Sequence, residues 1–243
     1  MAIQHRLVEY KAGDLVCEAY LAWDDAISGP RPAVAIAHTW AGRGDFEQRK
    51  AQALAKLGYV GFAVDIYGGG QRGNSVEENS ALMQPLMENR ELLQQRIIAA
   101  VETLKQQAEV DANKTAAMGF CLGGLTVLDL ARTGADVKGV ISFHGLFNAP
   151  GNILNSTPGN KISAKVLCLH GYDDPMALPK SIIELGTELT AAGADWQIHA
   201  YGGTVHGFTN PLANMPEMGV LYNEAADRRS WQAMVNFWEE VFN

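Results

Sequence analysis

The residues best suited to chemistry lie in one short stretch, Gly119-Phe120-Cys121-Leu122-Gly123-Gly124. An apolar run precedes this stretch and a helix-capable run follows it, so Cys121 stands at a strand-to-helix turn. The flanking glycines, Gly119 and Gly123, remove side chains that would collide in so sharp a turn. The pattern predicts a nucleophile elbow that lifts Cys121 above a sheet. The positive end of the following helix favours the thiolate form of the cysteine.

The same stretch has two plainer interpretations. Cysteine is among the most buried residue types, and glycine-rich turns between a strand and a helix also bind phosphates. The stretch lacks the Lys-Ser/Thr pair of a P-loop and the full G-x-G-x-x-G spacing. A nucleophilic role for Cys121 therefore depends on partners elsewhere in the chain.

Suitable partners follow later in the sequence. Adjacent aspartates, Asp173 and Asp174, are followed by His206, which gives the order nucleophile, acid, histidine. In such a triad the histidine takes the thiol proton and passes it to the leaving group, while an aspartate orients the imidazole. These residues predict acyl transfer through Cys121, with either aspartate as the acid.

Acyl transfer also needs donors for the negative oxygen that develops on the substrate. The backbone N–H of Leu122, directly after Cys121, points at the same space as the sulfur. The backbone N–H of Trp40, in a loop after another predicted strand, is the second candidate. We therefore expect Leu122 and Trp40 to form an oxyanion hole.

Strands and helices must alternate to bring these residues together. Short apolar runs such as 33–37 and 60–64 are typical of buried parallel strands, and amphipathic segments lie between them. This pattern predicts an α/β fold with a mostly parallel central sheet of about eight strands and helices on both faces. Functional loops of such sheets lie at the carboxyl ends of the strands, where all the residues named above are expected.

Three local features refine this prediction. Asp45 with Gln48 resembles a capping box that starts a helix through residue 57, and Ser75 with Glu78 resembles a second. Pro85 is expected to break or kink the helix that follows Ser75. Residues 148–161 are rich in Asn, Gly, Pro and Ser, which predicts a loop.

The composition limits the classes of function. The 243 residues, 47% hydrophobic and 19% charged, suit a single domain over residues 1–243. The formal net charge of −8 argues against nucleic acid or an anionic membrane as a partner. No apolar run could span a bilayer and no signal core follows Met1, so we expect a cytoplasmic protein. Three cysteines (Cys17, Cys121 and Cys168) are too few for a disulfide framework or a zinc site.

Three motifs in order resemble the dienelactone hydrolase family of α/β-hydrolases. They are the elbow around Cys121, the stretch His170-Gly171-Tyr172-Asp173-Asp174-Pro175, and Tyr201-Gly202-Gly203-Thr204-Val205-His206-Gly207-Phe208. The resemblance covers nearly the whole chain. It implies an α/β-hydrolase fold and cleavage of a carboxylic ester or lactone through an acyl-cysteine, with the triad Cys121, Asp174 and His206 and no cofactor. Asp174 is selected because the acid in α/β-hydrolases usually sits three residues after such a glycine.

The chain departs from the enzymes of this family that open dienelactone. Thr39 stands where those enzymes carry a glutamate that helps to control the cysteine, and Asn210 stands where they carry an arginine for the substrate carboxylate. A second carboxylate-binding arginine has no match, because glycines occupy that loop, and Arg72 is a weak substitute. The resemblance therefore supports the reaction type but not the acidic lactone as substrate.

Further residues near the predicted strand ends are candidates for the substrate pocket. They are His38, Thr39, Tyr67, His144 and Phe208. Histidines at such places are more often structural, and no i, i+4 pair of ligands supports a metal site. Two functions remain: a hydrolase of small-molecule esters or lactones, and a non-catalytic small-molecule binder or sensor with the same fold.

Overall fold

A computed structural model describes residues 2–154 and 161–243 of the chain. The predicted loop over residues 148–161 lies partly outside these ranges. The strands, in chain order, are β1 (Ile3–Ala12), β2 (Leu15–Asp24), β3 (Arg31–Ala37), β4 (Val60–Ala63), β5 (Val110–Phe120), β6 (Gly139–Phe143), β7 (Lys165–Gly171), β8 (Trp196–Tyr201), β9 (Asn214–Met215) and β10 (Val220–Leu221).

Helices connect most of the strands. They are α1 (Asp45–Lys56), α2 (Val76–Glu88), α3 (Arg90–Lys105), α4 (Leu122–Arg132), α5 (Pro179–Ala191) and α6 (Glu224–Phe242), with a short 3₁₀ turn at Pro216–Met218. None of the helices in the described ranges is both long and apolar enough to cross a membrane.

The central sheet has the strand order β1-β2-β4-β3-β5-β6-β7-β8 within the described residues. All pairs from β4 to β8 are parallel, whereas β1–β2 and β2–β4 are antiparallel. The predicted α/β architecture, a mostly parallel sheet of about eight strands, is confirmed. The parallel strands end at a common rim, where the loops after β3, β5, β6 and β7 meet.

Each face of the sheet has its own apolar core. On one face, α3 and α4 contribute side chains such as Leu93, Ile97 and Leu125. On the other face, α1 and α6 contribute side chains such as Leu54 and Trp238. The strands between the two cores read as continuous apolar runs because both of their faces are buried.

A buried ionic network fixes α4, the helix that follows the elbow. Asp129 on α4 is fully buried and accepts two hydrogen bonds of 2.7 Å from Arg90 at the start of α3. Arg132, also on α4, reaches Asp129 at 3.1 Å and Glu188 on α5 at 2.7 Å. Each buried charge is paired, and three helices are held in register behind the elbow.

Two helix boundaries differ in detail from the sequence predictions. The N-cap of α1 is Gly44 rather than Asp45, and the Gly44 N–H donates to the Glu47 carboxylate at 2.8 Å. Helix α2 runs through Pro85 and ends at Glu88 instead of breaking. The proline is tolerated because it stands exposed in the last turn, where water can solvate the carbonyl that it leaves unpaired. The predicted Ser75 cap is confirmed, since its hydroxyl accepts from the Glu78 N–H.

Candidate active site

Cys121 lies between β5 and α4 in a backbone conformation rare for a residue with a side chain. Its φ is 56° and its ψ is −114°. A Cβ atom on Gly119 would collide with the carbonyl of Gly123, and one on Gly123 would collide with the carbonyl of Ala37 at the end of β3. The two glycines therefore permit the close approach of strand and helix that holds Cys121 in this strained turn.

His206 and Asp174 form a direct pair at the rim. Nδ1 of His206 lies 2.7 Å from Oδ2 of Asp174, and both side chains are buried. The other carboxylate oxygen of Asp174 accepts the N–H of Met176 at 2.8 Å. Asp173 points elsewhere: it is exposed, and its carboxylate accepts the N–H of Gly203 at 2.6 Å. Only Asp174 of the two predicted acids contacts the imidazole.

The loop between β8 and α6 carries His206 back to the rim. The His206 N–H donates to the carbonyl of Gly219, and its carbonyl accepts from the N–H of Leu221. These bonds fix the backbone of His206 on both sides, beside the short strand β10. The imidazole is therefore held by its own backbone as well as by Asp174.

Cys121 and His206 interact electrostatically. Burial is the largest single effect on the Cys121 thiol and would raise its pKa, but the charge and hydrogen bond of the His206 imidazole, together with two backbone N–H groups, hold that pKa below its usual value. Burial likewise disfavours a charged His206, yet the Cys121 thiolate and the Asp174 hydrogen bond raise its pKa to about 10. Between these two side chains, the attraction of the charges has a larger effect on both pKa values than the hydrogen bond that joins them. The thiolate and the imidazolium therefore stabilise each other.

Two backbone N–H groups also act on the sulfur. Hydrogen bonds from Leu122 and Trp40 contribute to the lowered pKa of the Cys121 thiol. The loop that carries Trp40 is fixed, because the Tyr67 hydroxyl donates to the Trp40 carbonyl at 2.7 Å. The neighbouring Thr39 N–H donates to the buried Glu47 carboxylate at 3.2 Å. Donors held in this way need little reorganisation when negative charge develops beside them.

A cavity of about 280 Å³ opens beside Cys121 and His206. Thr39 and His144, both predicted for the pocket, are among the lining residues. Most of the remaining wall is aliphatic or methionine, contributed by α2, α4 and the loop after β8. The size is close to the lower end of the range for small-molecule sites.

Three residues predicted for the pocket, His38, Tyr67 and Phe208, do not line it. His38 is locked between the carbonyl of Thr39 (2.6 Å from Nδ1) and the N–H of Ile66 (3.1 Å from Nε2). Burial lowers the pKa of His38 to about 4, so it stays neutral and structural.

Tyr67 supports the Trp40 loop from behind, as described above. Phe208 is fully buried and packs edge-on against the His144 and Tyr201 rings. The positions of His38, Tyr67 and Phe208 near the strand ends were predictable from the sequence. Whether each side chain faces the cavity or the core depends on packing.

His144 stands directly behind the candidate triad. Its ring centroid is 5.1 Å from that of His206, and its Nε2 lies 2.8 Å from the Thr209 hydroxyl. Burial, together with the charge of His206, lowers the pKa of His144 well below its usual value. A neutral His144 leaves the positive charge on His206, where it faces the sulfur.

Some residues near the site carry no recognisable signal in the sequence. Lys50 lies 5.2 Å from the Phe46 ring, 5.6 Å from the Phe120 ring and 4.9 Å from the Trp231 ring. Glu47, which accepts a hydrogen bond from the Thr39 N–H, lies in the first turn of α1, and the sequence there does not indicate this role. Only the tertiary fold brings these side chains to the site, so a linear pattern does not reveal them.

Within the described residues, no group of three or more His, Cys, Asp or Glu side chains is arranged to hold a metal ion. The other two cysteines are remote from this chemistry. Cys17 and Cys168 are buried, and burial raises the pKa of the first to about 11 and of the second to about 12. Their thiols therefore stay protonated at neutral pH.

Comparisons with known proteins point to one family. The sequence profile of the dienelactone hydrolase family matches residues 17–242. An uncharacterized protein of Caenorhabditis elegans is 36% identical over 62% of this chain and 94% of its own length. A Bradyrhizobium protein named "Probable 2-oxo-3-(5-oxofuran-2-ylidene)propanoate lactonase" is 29% identical over 78% of each chain.

A solved structure agrees over the full length. The dienelactone hydrolase-like promiscuous phosphotriesterase P91, from metagenomic libraries, is 36% identical, covers 100% of both chains and superposes with a TM-score of 0.92. The superposition shows that the two chains share one fold. The chain belongs to the dienelactone hydrolase family and has the α/β-hydrolase fold.

Proposed function

We propose that the protein hydrolyses carboxylic esters or lactones, with Cys121 as nucleophile, His206 as acid and base, and Asp174 as the residue that orients His206. The observation that carries this proposal is the placement of a strained, thiolate-favouring Cys121 beside the His206–Asp174 pair, at the wall of a cavity. Family membership supports the same reaction class.

The proposed reaction has two halves. The Cys121 thiolate attacks the substrate carbonyl carbon and forms a C–S bond, while the carbonyl oxygen takes the negative charge beside the N–H groups of Leu122 and Trp40. The intermediate collapses, the C–O bond breaks, and the alkoxide leaves with the proton of His206. Neutral His206 then takes a proton from water, whose hydroxide attacks the thioester and expels the thiolate. The sum is ester plus water giving acid plus alcohol.

The pKa directions support this assignment of roles. An imidazolium paired with a thiolate is ready to protonate the leaving group, and a thiolate needs no separate base for attack. In the dienelactone-opening enzymes a glutamate helps to control the cysteine, and here Thr39 stands in its place. His206 and the two backbone N–H groups account for a lowered Cys121 pKa without that glutamate.

A simple aryl ester tests the proposal. Wild type is expected to hydrolyse 4-nitrophenyl acetate with a kcat/KM at least about 10³-fold above that of Cys121→Ala, because removal of a nucleophile abolishes the covalent route. Cys17→Ala is the matched control: it removes a buried thiol outside the site and should keep the wild-type rate. Equal rates in wild type and Cys121→Ala would reject the proposal.

A non-catalytic binder or sensor is the alternative from another class. The same assay separates the two, because a sensor would acylate Cys121 once and not release the product. A single burst of 4-nitrophenolate, equal to the enzyme concentration and without a following steady rate, would favour the sensor. Continued turnover favours the hydrolase.

A second activity, cleavage of neutral phosphotriesters, also merits a test. It is supported by the full-length similarity to a promiscuous phosphotriesterase and by a cavity whose described wall residues carry no charge apart from the candidate triad. Diethyl 4-nitrophenyl phosphate is the suitable probe. Release of 4-nitrophenolate by wild type but not by Cys121→Ala would assign this activity to the same site, and no release would exclude this substrate.

A further inference from the structure

The wall of the cavity carries no fixed charge apart from the candidate triad. Among the described residues that line it, none is Asp, Glu, Lys or Arg. Five of the eight methionines of the chain line it instead: Met83, Met87, Met176, Met215 and Met218. A substrate carboxylate in this cavity would lose its water, and the His206 imidazolium is already paired with Asp174 and the Cys121 thiolate, so burial of that carboxylate is strongly unfavourable.

Two of the cations nearby are already engaged, and a third lies outside the wall. Lys50 faces three aromatic rings and lies 3.8 Å from the Asp227 carboxylate, and it does not line the cavity. Arg43 is buried and bonded to the carbonyl and carboxylate of Glu18. Arg72, the weak candidate for a carboxylate-binding arginine, also stays outside the wall. No described lysine or arginine side chain therefore lines the cavity.

Asn210 stands where the dienelactone-opening enzymes carry an arginine, and it does line the cavity. Its side-chain oxygen accepts the N–H of Leu212 at 3.0 Å, and its carbonyl accepts from the N–H of Ala213. Asn210 thus shapes the turn that presents Leu212. It contributes no charge to the wall.

The apolar lining continues out of the cavity. Leu212 and Met176 line it and are 81% and 43% exposed, which is unusual for apolar side chains. Met218 lines it and is 36% exposed. These residues form an apolar rim (Met176, Leu212 and Met218) that leads from solvent to Cys121. An exposed apolar patch beside a site commonly contacts a ligand.

We propose that the substrate is an uncharged ester whose apolar acyl or alkyl group fills this cavity and extends over the apolar rim. The proposal rests on the ester hydrolysis proposed above and specifies its substrate class. A cavity of about 150 Å³ holds a benzene ring, so the volume of about 280 Å³ has room for a ring together with a short chain. Methionine side chains adapt to different shapes, so several such groups should be accepted.

A pair of esters that differ only in charge tests the first half of the proposal. 4-Nitrophenyl hexanoate and mono-4-nitrophenyl adipate have chains of similar length, but the second ends in a carboxylate. We expect kcat/KM for the hexanoate to exceed that for the adipate by at least about 30-fold, because the carboxylate would be desolvated without a partner. A smaller ratio overturns the proposal.

Matched variants at one wall position show whether charge is the cause. Met83 is half-buried on α2 and lines the cavity. Met83→Lys adds a cation at nearly constant length and should reduce the hexanoate-to-adipate ratio at least about tenfold. Met83→Gln adds polarity without charge, so its hexanoate-to-adipate ratio should stay above that of Met83→Lys. Equal ratios in the two variants would contradict the proposal.

A series of acyl chains tests the rim. For 4-nitrophenyl esters from acetate to decanoate, kcat/KM in wild type should rise with chain length, since each buried methylene adds binding. Leu212→Ser should lower the ratio of kcat/KM for the decanoate to kcat/KM for the acetate at least about threefold. Ile183→Ser, at another exposed site that does not line the cavity, should change neither rate. If Leu212→Ser and Ile183→Ser both lose the preference for long chains, or if both keep it, the proposed role of the rim is refuted.

The two proposals fail in different ways. If both ester classes are hydrolysed at equal rates and the hydrolysis depends on Cys121, the proposed substrate class is wrong and the proposed reaction stands. If Cys121→Ala hydrolyses the esters as fast as wild type, both the proposed reaction and the proposed substrate class are wrong.

Discussion

At the scale of single residues, opposing effects act on the sulfur of Cys121. Burial favours the neutral thiol, whereas the His206 charge and the N–H groups of Leu122 and Trp40 favour the thiolate, and the second set prevails. The outcome depends on His206 remaining protonated, which its pKa of about 10 ensures at neutral pH. Asp174 supports that charge through Nδ1.

The pH dependence of alkylation follows from this balance. The thiolate is the reactive form, and its fraction falls as pH falls through the Cys121 pKa. Because the His206 charge lowers that pKa, the iodoacetamide rate of wild type should reach its plateau at a lower pH than that of His206→Gln. Stopped-flow alkylation with mass-spectrometric mapping of the modified residue measures both profiles. Coincident profiles would contradict the assigned ion pair.

Substitutions of the two neighbouring aspartates, Asp173 and Asp174, should affect kcat/KM very differently. Asp174→Asn should lower kcat/KM on the order of 10²–10⁴-fold, because an amide no longer stabilises the imidazolium or fixes its tautomer. Asp173→Asn should change it by less than about threefold, since an exposed loop contact contributes little. Steady-state kinetics measure the effect, and circular dichroism checks that both variants are folded. The reverse ranking would show that the wrong acid is assigned.

At the scale of elements, the elbow depends on the contact between β3, β5 and α4. Gly123→Ala would drive a Cβ atom into the carbonyl of Ala37, a backbone atom that cannot move aside. We expect a loss of about 3 kcal/mol or more in the free energy of unfolding, measured by urea titration.

Gly151→Ala is the matched control for that substitution. A Cβ atom at Gly151 meets nothing within 4 Å, and its φ is not positive. This variant should stay within about 0.5 kcal/mol of wild type. Similar losses in the two variants would mean that close packing at the elbow is not what requires Gly123.

The elements were largely predictable because their signals are local. Apolar runs located the parallel strands, and the glycines around Cys121 located the elbow. The α1 cap was misplaced by one residue, because the N–H of Gly44 uses Glu47 and needs no side chain of its own. The tolerance of Pro85 depends on its exposure in the last turn of α2, which the linear sequence does not report.

At the scale of the whole molecule, topology explains why the proximity of the candidate triad residues was predictable and the lining of the pocket was only partly so. Parallel strands bring their carboxyl ends to one rim whatever the side chains around them, so Cys121 and the acid loop had to be near neighbours. The pocket wall depends on helix α2 and on the loop after β8, whose packing no motif specifies. His38 and Tyr67 therefore lie behind the wall, while Met83 lies on it.

We further propose that residues 1–243 fold as a single domain. One sheet lies between the two apolar cores, and the network around Asp129 joins three helices on one face. Such a structure should unfold in one cooperative transition. Urea titrations followed by tryptophan fluorescence and by far-ultraviolet circular dichroism should give the same midpoint. Two separate midpoints would indicate two folding units.

The most direct test of the proposed chemistry is to trap the acyl-enzyme. Wild type mixed with 4-nitrophenyl hexanoate and quenched in acid within milliseconds should carry one hexanoyl group, mapped to Cys121 by peptide mass spectrometry, that disappears as substrate is exhausted. Cys121→Ala should carry none. Turnover without any hexanoyl adduct, or with the adduct on a different residue, would contradict the proposed mechanism.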